Sequence, residues 1–286
     1  MVWVPAHQAH AIERVNVLLQ FSEPIPAKQM TAILADGSLK FPAVGFNSQN
    51  EESGEFNIQL GPDGPSIAFG QAGLAIGSGQ QIQQSMGRVF RRIEGNEVRE
   101  ELSINRTRVL YSSTRYESWS AYLARLRRLL DETLAKALVV ASIQLLKLEY
   151  WDRFTFEGKP EDADFTQLFR QESVHLPKFP FDAGRLWHSH IGYYAPDMPQ
   201  RKRLINLNVD VLDLVIGGPN NMPVNGQTKR SAGIYSMAQD TRDPTRLIDD
   251  SDTVSQVLTE LHSDLISILH DILTPTAKDR ISLKTH

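Results

Sequence analysis

The sequence predicts an α+β fold in which an antiparallel sheet carries two long helices packed on one face. Two-residue alternation of apolar side chains recurs along the chain, and two long segments show the helical spacing of apolar residues instead. The order strand, short helix, several strands, long helix occurs once in each half. We therefore predict an internal duplication, with one half at residues 1–138 and the other at residues 139–286 of one compact unit. The alternative is a single helix on a curved sheet that encloses a ligand pocket.

The first half opens with a strand, since residues 12–21 alternate apolar and polar side chains. A short helix is predicted at residues 27–34, ended by Asp36 and Gly37. Residues 38–86 are the least decided part of the chain. Their strand-like pieces lie at residues 41–46, 56–60 and 67–69, and the turn residues Gly61, Pro62, Asp63 and Gly64 separate the last two pieces.

A hairpin and a long helix complete the first half. Residues 94–97 form a turn cluster between strands predicted at 88–93 and 98–115. Ser118 then caps a helix whose apolar stripe runs from Trp119 to Leu134.

The second half follows the same order. Acidic residues at 249–252 cap and charge the start of a second long helix, whose apolar stripe runs from Val254 to Ile272, and Pro275 ends this helix. No residue-by-residue identity accompanies the repeat, so the duplication rests on element order. Before this helix, strands are predicted at residues 139–156, 187–194, 204–216 and 231–238, with a short helix at residues 162–171.

Composition narrows the classes of protein that fit. The 286 residues include no cysteine, which excludes disulfides, thiolate metal sites and a cysteine nucleophile. The formal net charge of −4 provides no global basic field for nucleic acid or for an anionic membrane. The N-terminal residues lack the pattern of a signal peptide, and no apolar run approaches the roughly 20 residues of a membrane helix. We expect a cytoplasmic protein without membrane association.

One pair of histidines has the spacing of metal ligands. His188 and His190 lie two residues apart on a predicted strand, so both imidazoles point to one face and could reach one ion. A metal site needs a third ligand, for which His175 and Asp182 are the local candidates. The interpretation that we favour is an exposed pair of strand histidines, and we predict no cofactor.

Two regions are candidates for anion binding. Seven arginines fall between Arg88 and Arg115, and strand alternation would place Arg106 and Arg108 on one face, where they could meet phosphates or carboxylates. Interleaved glutamates favour cross-strand ion pairs for most of these arginines. The glycine-rich residues 70–79 lack the lysine and the spacing of a phosphate loop, so we predict a flexible connection there.

Polar side chains line one face of the strand predicted at residues 204–216. Asn206, Asn208 and Asp210 share that face by alternation, which fits the lining of a groove as well as plain solvent exposure. His262 borders the apolar stripe of the second long helix, where we expect a hydrogen bond at the seam between helix and sheet.

Three segments together resemble a known family. Residues 113–119 (STRYESW) enter the first long helix, residues 146–154 (LKLEYWDRF) follow it, and residues 258–275 carry a leucine–histidine pair and end in ILTP. This pattern is similar to a sporadically distributed bacterial family of uncharacterised proteins of about this size. That family has a leucine-x-tyrosine central strand and a C-terminal leucine–histidine helix. Its patchy distribution implies mobile islands or defence loci, and hence an interaction or sensing role without an assigned activity.

Two positions depart from the family pattern. The family has an arginine before the tyrosine of the central strand and an asparagine two residues after it, whereas this chain has Glu149 and Asp152. A polar contact made by these positions in the family would therefore be reversed in sign here.

The sequence thus predicts a non-enzymatic binding module that holds another protein or a peptide, with a homodimer as a further option. The alternatives are nucleic-acid binding through the arginine-rich hairpin and a metal-dependent hydrolase that uses His188 and His190. The residues assigned to candidate binding surfaces are His188, His190, Asn206, Asn208, Asp210, Arg106, Arg108, Glu149, Asp152 and His262.

Overall fold

The computed structural model describes residues 2–52, 57–61, 64–68, 87–182, 186–196, 201–217 and 223–283, and these residues have the predicted α+β fold. Ten of the described strands form one sheet, and two form a separate hairpin. The strands are β1 (Val2–Pro5), β2 (Ile12–Phe21), β3 (Ser48–Glu51), β4 (Asn57–Gly61), β5 (Gly64–Ala68), β6 (Gly87–Glu94), β7 (Glu97–Asn105), β8 (Arg108–Ser113), β9 (Ile143–Glu157), β10 (Trp187–Tyr194), β11 (Arg201–Gly217) and β12 (Pro223–Arg242). The α-helices are α1 (Ala27–Ala43), α2 (Trp119–Ala137), α3 (Ser251–Ile272) and α4 (Pro275–Arg280).

The large sheet runs in the order β10-β11-β12-β9-β2-β8-β7-β6-β3, and β1 pairs with β9 outside this path. Every pair of neighbouring described strands is antiparallel. The first strands of the two predicted halves, β2 and β9, pair with each other in the middle, with Val17 opposite Leu148. On either side, the later strands of each half return as a meander, β8-β7-β6 beside β2 and β12-β11-β10 beside β9.

One face of the sheet is apolar and forms the core. On β9, Leu146, Leu148, Phe154 and Phe156 alternate onto this face, and each is at most 1% exposed. One hydrophobic cluster joins them to buried side chains of α1, α2 and α3. Full burial of one such side chain contributes roughly 1.5–3 kcal/mol, so this cluster holds sheet and helices together.

The opposite face of the sheet is polar. On β9 it carries Lys147, Glu149, Trp151 and Arg153, which alternate with the core residues. We call this side the polar face. It continues onto the neighbouring strands, because the antiparallel register places side chains of one face in rows across the sheet.

The two long helices begin where the sequence predicts. The hydroxyl of Ser118 accepts a hydrogen bond from the backbone N–H of Ala121 at 3.2 Å, before α2. The carboxylate of Asp250 accepts from the N–H of Thr253 at 2.7 Å, before α3. Both side chains satisfy N–H groups that have no partner within the helix, which confirms the predicted caps.

Helix α1 is longer than predicted. It continues past Gly37 to Ala43, so the prediction of a short helix at residues 27–34 and of a strand from Phe41 was wrong. Gly37 is buried, and a Cβ there would lie 2.7 Å from the ring of Phe41. The glycine therefore allows close packing inside the helix and does not end it.

Two other element predictions were wrong. The strand predicted at residues 98–115 is divided into β7 and β8, because Oδ1 of Asn105 accepts from the N–H groups of Thr107 and Arg108, at 2.9 Å each, and forms a turn. The helix predicted at residues 162–171 is replaced by 3-10 turns at Pro160–Asp162 and Phe165–Gln167, the second of which is capped by Asp164.

In the undecided region, β4 and β5 pair with Gly61 opposite Gly64, as the turn residues predict. The glycine-rich residues 70–79 lie outside the described residues. None of the described helices combines the length and the apolar character that a membrane crossing requires.

Candidate binding surface at the edge strand

Strand β10 forms one edge of the large sheet and pairs with β11 alone among the described strands. Its eight residues, WHSHIGYY, include no Asp, Glu, Lys, Arg or Pro. Natural sheet edges usually carry such residues, which prevent a further strand from pairing with the free backbone groups. At the other edge, β3 is only four residues long and reads SQNE. The β10 edge is therefore the less protected of the two.

The hydrogen bonds to β11 show which backbone groups of β10 point away from β11, to the side where no other described strand pairs with it. The N–H of Ala195, just after β10, donates to the carbonyl of Arg203 at 2.9 Å. In an antiparallel pair such contacts recur at every second residue, so the odd-numbered residues of β10 bond to β11. The even-numbered residues His188, His190, Gly192 and Tyr194 direct their N–H and C=O groups to the free edge.

Exposed apolar side chains are concentrated in the stretch of chain that leads into β10 and includes it. Nine large apolar side chains are exposed in the described residues, and five of them lie between residues 174 and 194. Clusters of exposed apolar side chains mark interaction sites more often than single ones do. These five are Val174, Phe179, Leu186, Tyr193 and Tyr194.

The polar face brings the predicted histidines and the predicted polar ladder together. His188 and His190 are both exposed on this face, and their cross-strand partners on β11 are Asp210 and Asn208. Side chains directly opposite each other have Cβ atoms about 5 Å apart, so these residues form two adjacent polar pairs. Asn206 lies opposite Gly192, where a Cβ would be only 2.5 Å from its Oδ1.

The row through Asn208 continues to two aromatic residues that the sequence reasoning missed. Tyr235 on β12 lies opposite Asn208, and Trp151 on β9 lies opposite Tyr235, with ring centroids 5.0 Å apart. Nε1 of Trp151 and Oδ1 of Asn208 are buried and have no hydrogen-bond partner among the described residues. Buried polar atoms are nearly always paired, and this row holds one donor and one acceptor without a partner among the described residues.

Glu149 lies at the centre of the polar face and is only 2% exposed. Its carboxylate accepts from the hydroxyl of Tyr235 and from Nζ of Lys147, each at 2.8 Å, and from Nδ2 of Asn16 at 3.3 Å. Burial, and then the negative charge of Glu149, raise the pKa of Tyr235 far above its usual range. The carboxylate is thus a fixed structural group with its charge matched by Lys147.

Asp210 connects the edge to the central strand. Partial desolvation raises the pKa of Asp210, while the charges of His188 and Arg153 act in the opposite direction. In the register, Gly233 separates Asp210 from Arg153, and Nε of Arg153 donates to both carboxylate oxygens of Glu13 at 2.9 and 2.8 Å. Asp210 therefore lies directly opposite His188, whereas Arg153 is one strand further away and is paired with Glu13.

The described residues contain no group of three or more His, Cys, Asp or Glu side chains that could hold a metal ion. His175, a predicted third ligand, places Nδ1 2.7 Å from Asp271 and Nε2 3.2 Å from the hydroxyl of Tyr193. Tyr193 alternates with His188 and His190 onto the opposite face, so His175 is not directed at their side of the sheet. The side chain of Asp182, the other candidate, lies outside the described residues.

Arg106 and Arg108 lie in the other half of the sheet. Arg106 is in the turn before β8, so the prediction that both residues share one strand face was wrong. Nε of Arg106 donates to the carbonyl of Ile25 at 2.7 Å, and Arg108 lies 3.4 Å from the buried Glu52. Neighbouring arginines pair with glutamates in the same way, as the interleaved acidic residues predict: Arg91 with Glu101, Arg92 with Glu100, and Arg99 with Glu97.

Asp152 and His262 lie on the apolar side, away from the other predicted residues. Nδ1 of His262 is 3.0 Å from the hydroxyl of Tyr150, and its ring stacks on Trp119 at 4.4 Å, which confirms the predicted hydrogen bond at the seam. Asp152 is 4% exposed, and its Oδ1 has no hydrogen-bond partner among the described residues. Burial, and to a lesser extent the charge of Glu13, raise the pKa of Asp152 to about 7.

The structure therefore unites His188, His190, Asn206, Asn208 and Asp210 at one edge of the polar face, with Glu149 behind them. The unprotected character of β10 could have been read from its sequence, because the absence of charge and proline is visible there. The sequence matches no protein-family model and no curated protein.

Proposed function

We propose that the protein is a binding module that accepts an extended segment of another protein as an additional strand at the edge of β10. The observation that carries this proposal is β10 itself, an eight-residue edge strand without charge or proline. In strand addition, backbone hydrogen bonds supply affinity, and pockets for alternate side chains supply specificity. The free groups of His188, His190, Gly192 and Tyr194 would supply those hydrogen bonds.

The two faces of β10 would select different side chains of the bound segment. On the polar face, the segment would meet His188 and His190, with Asn208 behind them. On the other face it would meet Tyr193, which is held by His175. A segment with alternating polar and apolar residues suits both faces.

The distribution of charge favours a protein partner over nucleic acid. The chain has a net charge of −4, and Arg91, Arg92 and Arg99 of the hairpin pair with glutamates of the same hairpin. Binding to nucleic acid depends on cations that replace the counterions of phosphates. Among the described residues, no cluster of lysines and arginines accompanies the exposed histidines of β10.

We further propose that the two halves arose by duplication and that α2 and α3 pack on the same face of the sheet. The two meanders extend in opposite directions from the β2–β9 pair. An ion pair joins each long helix to a buried residue on the middle strand of its meander. Arg125 of α2 bonds to Glu100 of β7 at 2.9 Å, and Asp264 of α3 bonds to Arg203 of β11 at 2.7 Å, with the charges exchanged.

The variant His190→Pro tests the strand-addition proposal. Proline removes an N–H that points to the free edge and leaves the hydrogen bonds to β11 intact. Selection from a peptide library should enrich extended, alternating sequences on the wild-type protein and none on His190→Pro. The exposed substitution Lys202→Gln on β11 is the control and should retain the selected peptides.

The unfolding temperature of His190→Pro should stay close to that of the wild type, which shows that loss of peptides is not loss of fold. A library that yields no enriched sequence on the wild type, or the same sequences on His190→Pro, would refute strand addition at β10.

A further inference from the structure

A pocket of about 610 Å³ lies on the solvent-facing side of α3, and none of the residues that line it belongs to β10. One side of the pocket consists of side chains that recur every three or four residues along α3, from Thr259 to His270. Arg170 and Lys278 of α4 contribute to the rest of the lining. Pockets that hold small molecules have volumes of roughly 300–1,000 Å³, so this one has room for a small organic molecule.

Backbone hydrogen bonds hold Arg170 and Lys278 beside the same end of α3. The N–H of Arg170 donates to the carbonyl of Ile272 at 2.9 Å, and the N–H of Thr274 donates to the carbonyl of Leu168 at 3.0 Å. The N–H of Lys278 donates in turn to the carbonyl of Thr274 at 3.0 Å. The positions of the two cationic residues relative to the pocket are therefore set by the fold.

The positive charges of Arg170 and Lys278 are not matched by carboxylates. Within the described part of the chain, neither residue forms an ion pair, and the guanidinium of Arg170 makes no hydrogen bond. Nζ of Lys278 donates to the carbonyl of His270 at 3.2 Å, which uses one of its three N–H donors. Both side chains thus keep donors for a ligand in the pocket.

Asp271, the one acidic side chain of the lining, is engaged by the loop before β10. Its Oδ2 accepts from the hydroxyl of Ser173 at 2.5 Å and from the N–H of Val174 at 3.2 Å, and it lies 2.7 Å from Nδ1 of His175. A phosphate monoester carries about −1.5 to −2 charges near neutral pH, which matches the two cations of the pocket better than a single carboxylate does.

Hydroxyl groups on α3 favour a ligand that carries O–H groups as well as an anion. The hydroxyls of Thr259 and Ser267 donate to the carbonyls of Ser255 and Ser263, at 2.9 Å each. Each hydroxyl oxygen keeps lone pairs that can accept a further hydrogen bond. The O–H groups of a sugar are suitable donors to them.

We propose that this pocket binds a small phosphorylated sugar, with the phosphate held by Arg170 and Lys278 and the sugar hydroxyls donating to Thr259 and Ser267. The site is separate from the β10 edge, so this inference does not depend on strand addition.

Isothermal titration with four ligands tests the proposal. Two ligands are glucose and ribose phosphorylated on the primary hydroxyl group, and the other two are the unphosphorylated sugars. At least one sugar phosphate should bind with a Kd below about 1 mM, and inorganic phosphate should compete with it. The unphosphorylated sugars should not bind measurably.

The double variant Arg170→Gln/Lys278→Gln should weaken binding of the sugar phosphate about tenfold or more, because charge-assisted hydrogen bonds are lost. The matched control, Lys159→Gln/Arg246→Gln, removes two exposed positive charges outside the pocket and should bind as the wild type does. Ser267→Ala should weaken the sugar phosphate roughly threefold and leave inorganic phosphate unaffected.

The double variant should unfold at nearly the same temperature as the wild type. If it does not, Arg170→Gln alone provides the comparison, since this change removes no hydrogen bond among the described residues. The proposal is overturned if neither sugar phosphate binds, if the unphosphorylated sugars bind equally well, or if the pocket variants bind as tightly as the control.

Discussion

Arg125 on α2 and the buried Glu100 on β7 form an ion pair with two hydrogen bonds, from Nε at 2.9 Å and from Nη2 at 3.0 Å. The hydroxyl of Tyr111 also donates to this carboxylate, at 2.5 Å. Burial alone would raise the pKa of Glu100, but the bonds from Arg125 and Tyr111 lower it overall. Arg125 thereby fixes the position of α2 on the sheet.

Glu100→Gln should lower the free energy of unfolding by about 1–3 kcal/mol, because the half-buried guanidinium of Arg125 and the buried hydroxyl of Tyr111 lose a charged hydrogen-bond acceptor. Urea unfolding at pH 7 measures this. Since the folded state lowers the pKa of Glu100, its contribution in the wild type is present at neutral pH and is lost as the pH falls through the folded pKa.

The control for Glu100→Gln is Asp131→Asn, which breaks an exposed pair with Arg127 on the same helix. This change should have no measurable effect on stability. An equally small effect of Glu100→Gln would show that its ion pair does not hold α2.

Asp152→Asn should stabilise the protein at pH 8 much more than at pH 5. The folded state holds the pKa of Asp152 at about 7, above the value of about 3.9 in an unfolded chain. Folding therefore binds a proton between these values, and the wild type loses stability as the pH rises from about 4 to 7. The asparagine has no proton to lose.

Urea unfolding of wild type and Asp152→Asn at pH 5, 6, 7 and 8 measures this difference. A stability difference that is constant over this range would show that Asp152 does not titrate near neutral pH.

Gly37→Ala should lower the stability of the protein by about 1–3 kcal/mol, although alanine favours helices over glycine by up to about 1 kcal/mol. The added methyl group would lie 2.7 Å from the ring of Phe41. Thermal unfolding measures the change. Ala35→Gly, at an exposed position of α1, should show only the cost of helix propensity, and a gain in stability for Gly37→Ala would contradict the packing role of the glycine.

Tyr235→Phe should cost about 1.5–3 kcal/mol, because the buried carboxylate of Glu149 loses one of its donors. Tyr194→Phe is the comparison, since Tyr194 is 67% exposed and should tolerate the loss of its hydroxyl. Equal stabilities of the two variants in urea would indicate that Lys147 and Asn16 suffice as partners of the Glu149 carboxylate without the hydroxyl of Tyr235.

The parts of the fold that the sequence predicts well are those with local signals. Ser118 and Asp250 mark the starts of α2 and α3, because a cap depends only on the next three residues. In α1, Gly37 is a local signal for a helix end, but the helix continues to Ala43 and the ring of Phe41 packs against the glycine. Propensity is a weak predictor where a tertiary contact decides.

The sequence predicts only part of the candidate binding surface, because the rest depends on tertiary contacts. Alternation alone places His188 with His190 and Asn206 with Asn208 and Asp210. The pairing of these two sets depends on the register of β10 with β11, which no short segment encodes. Trp151 was missed because residues 148–152 of β9 are buried on both faces, so that alternation does not distinguish the two sides there.

The central pairing of β2 with β9 also constrains how the chain can fold during synthesis. Asn16 and Glu149 touch although they are 133 residues apart in sequence. Until the ribosome has delivered β9, one side of β2 lacks its partner, and a nascent first half presents an unpaired apolar strand. Contacts of such long range form slowly, so the protein is most vulnerable to aggregation before its second half emerges.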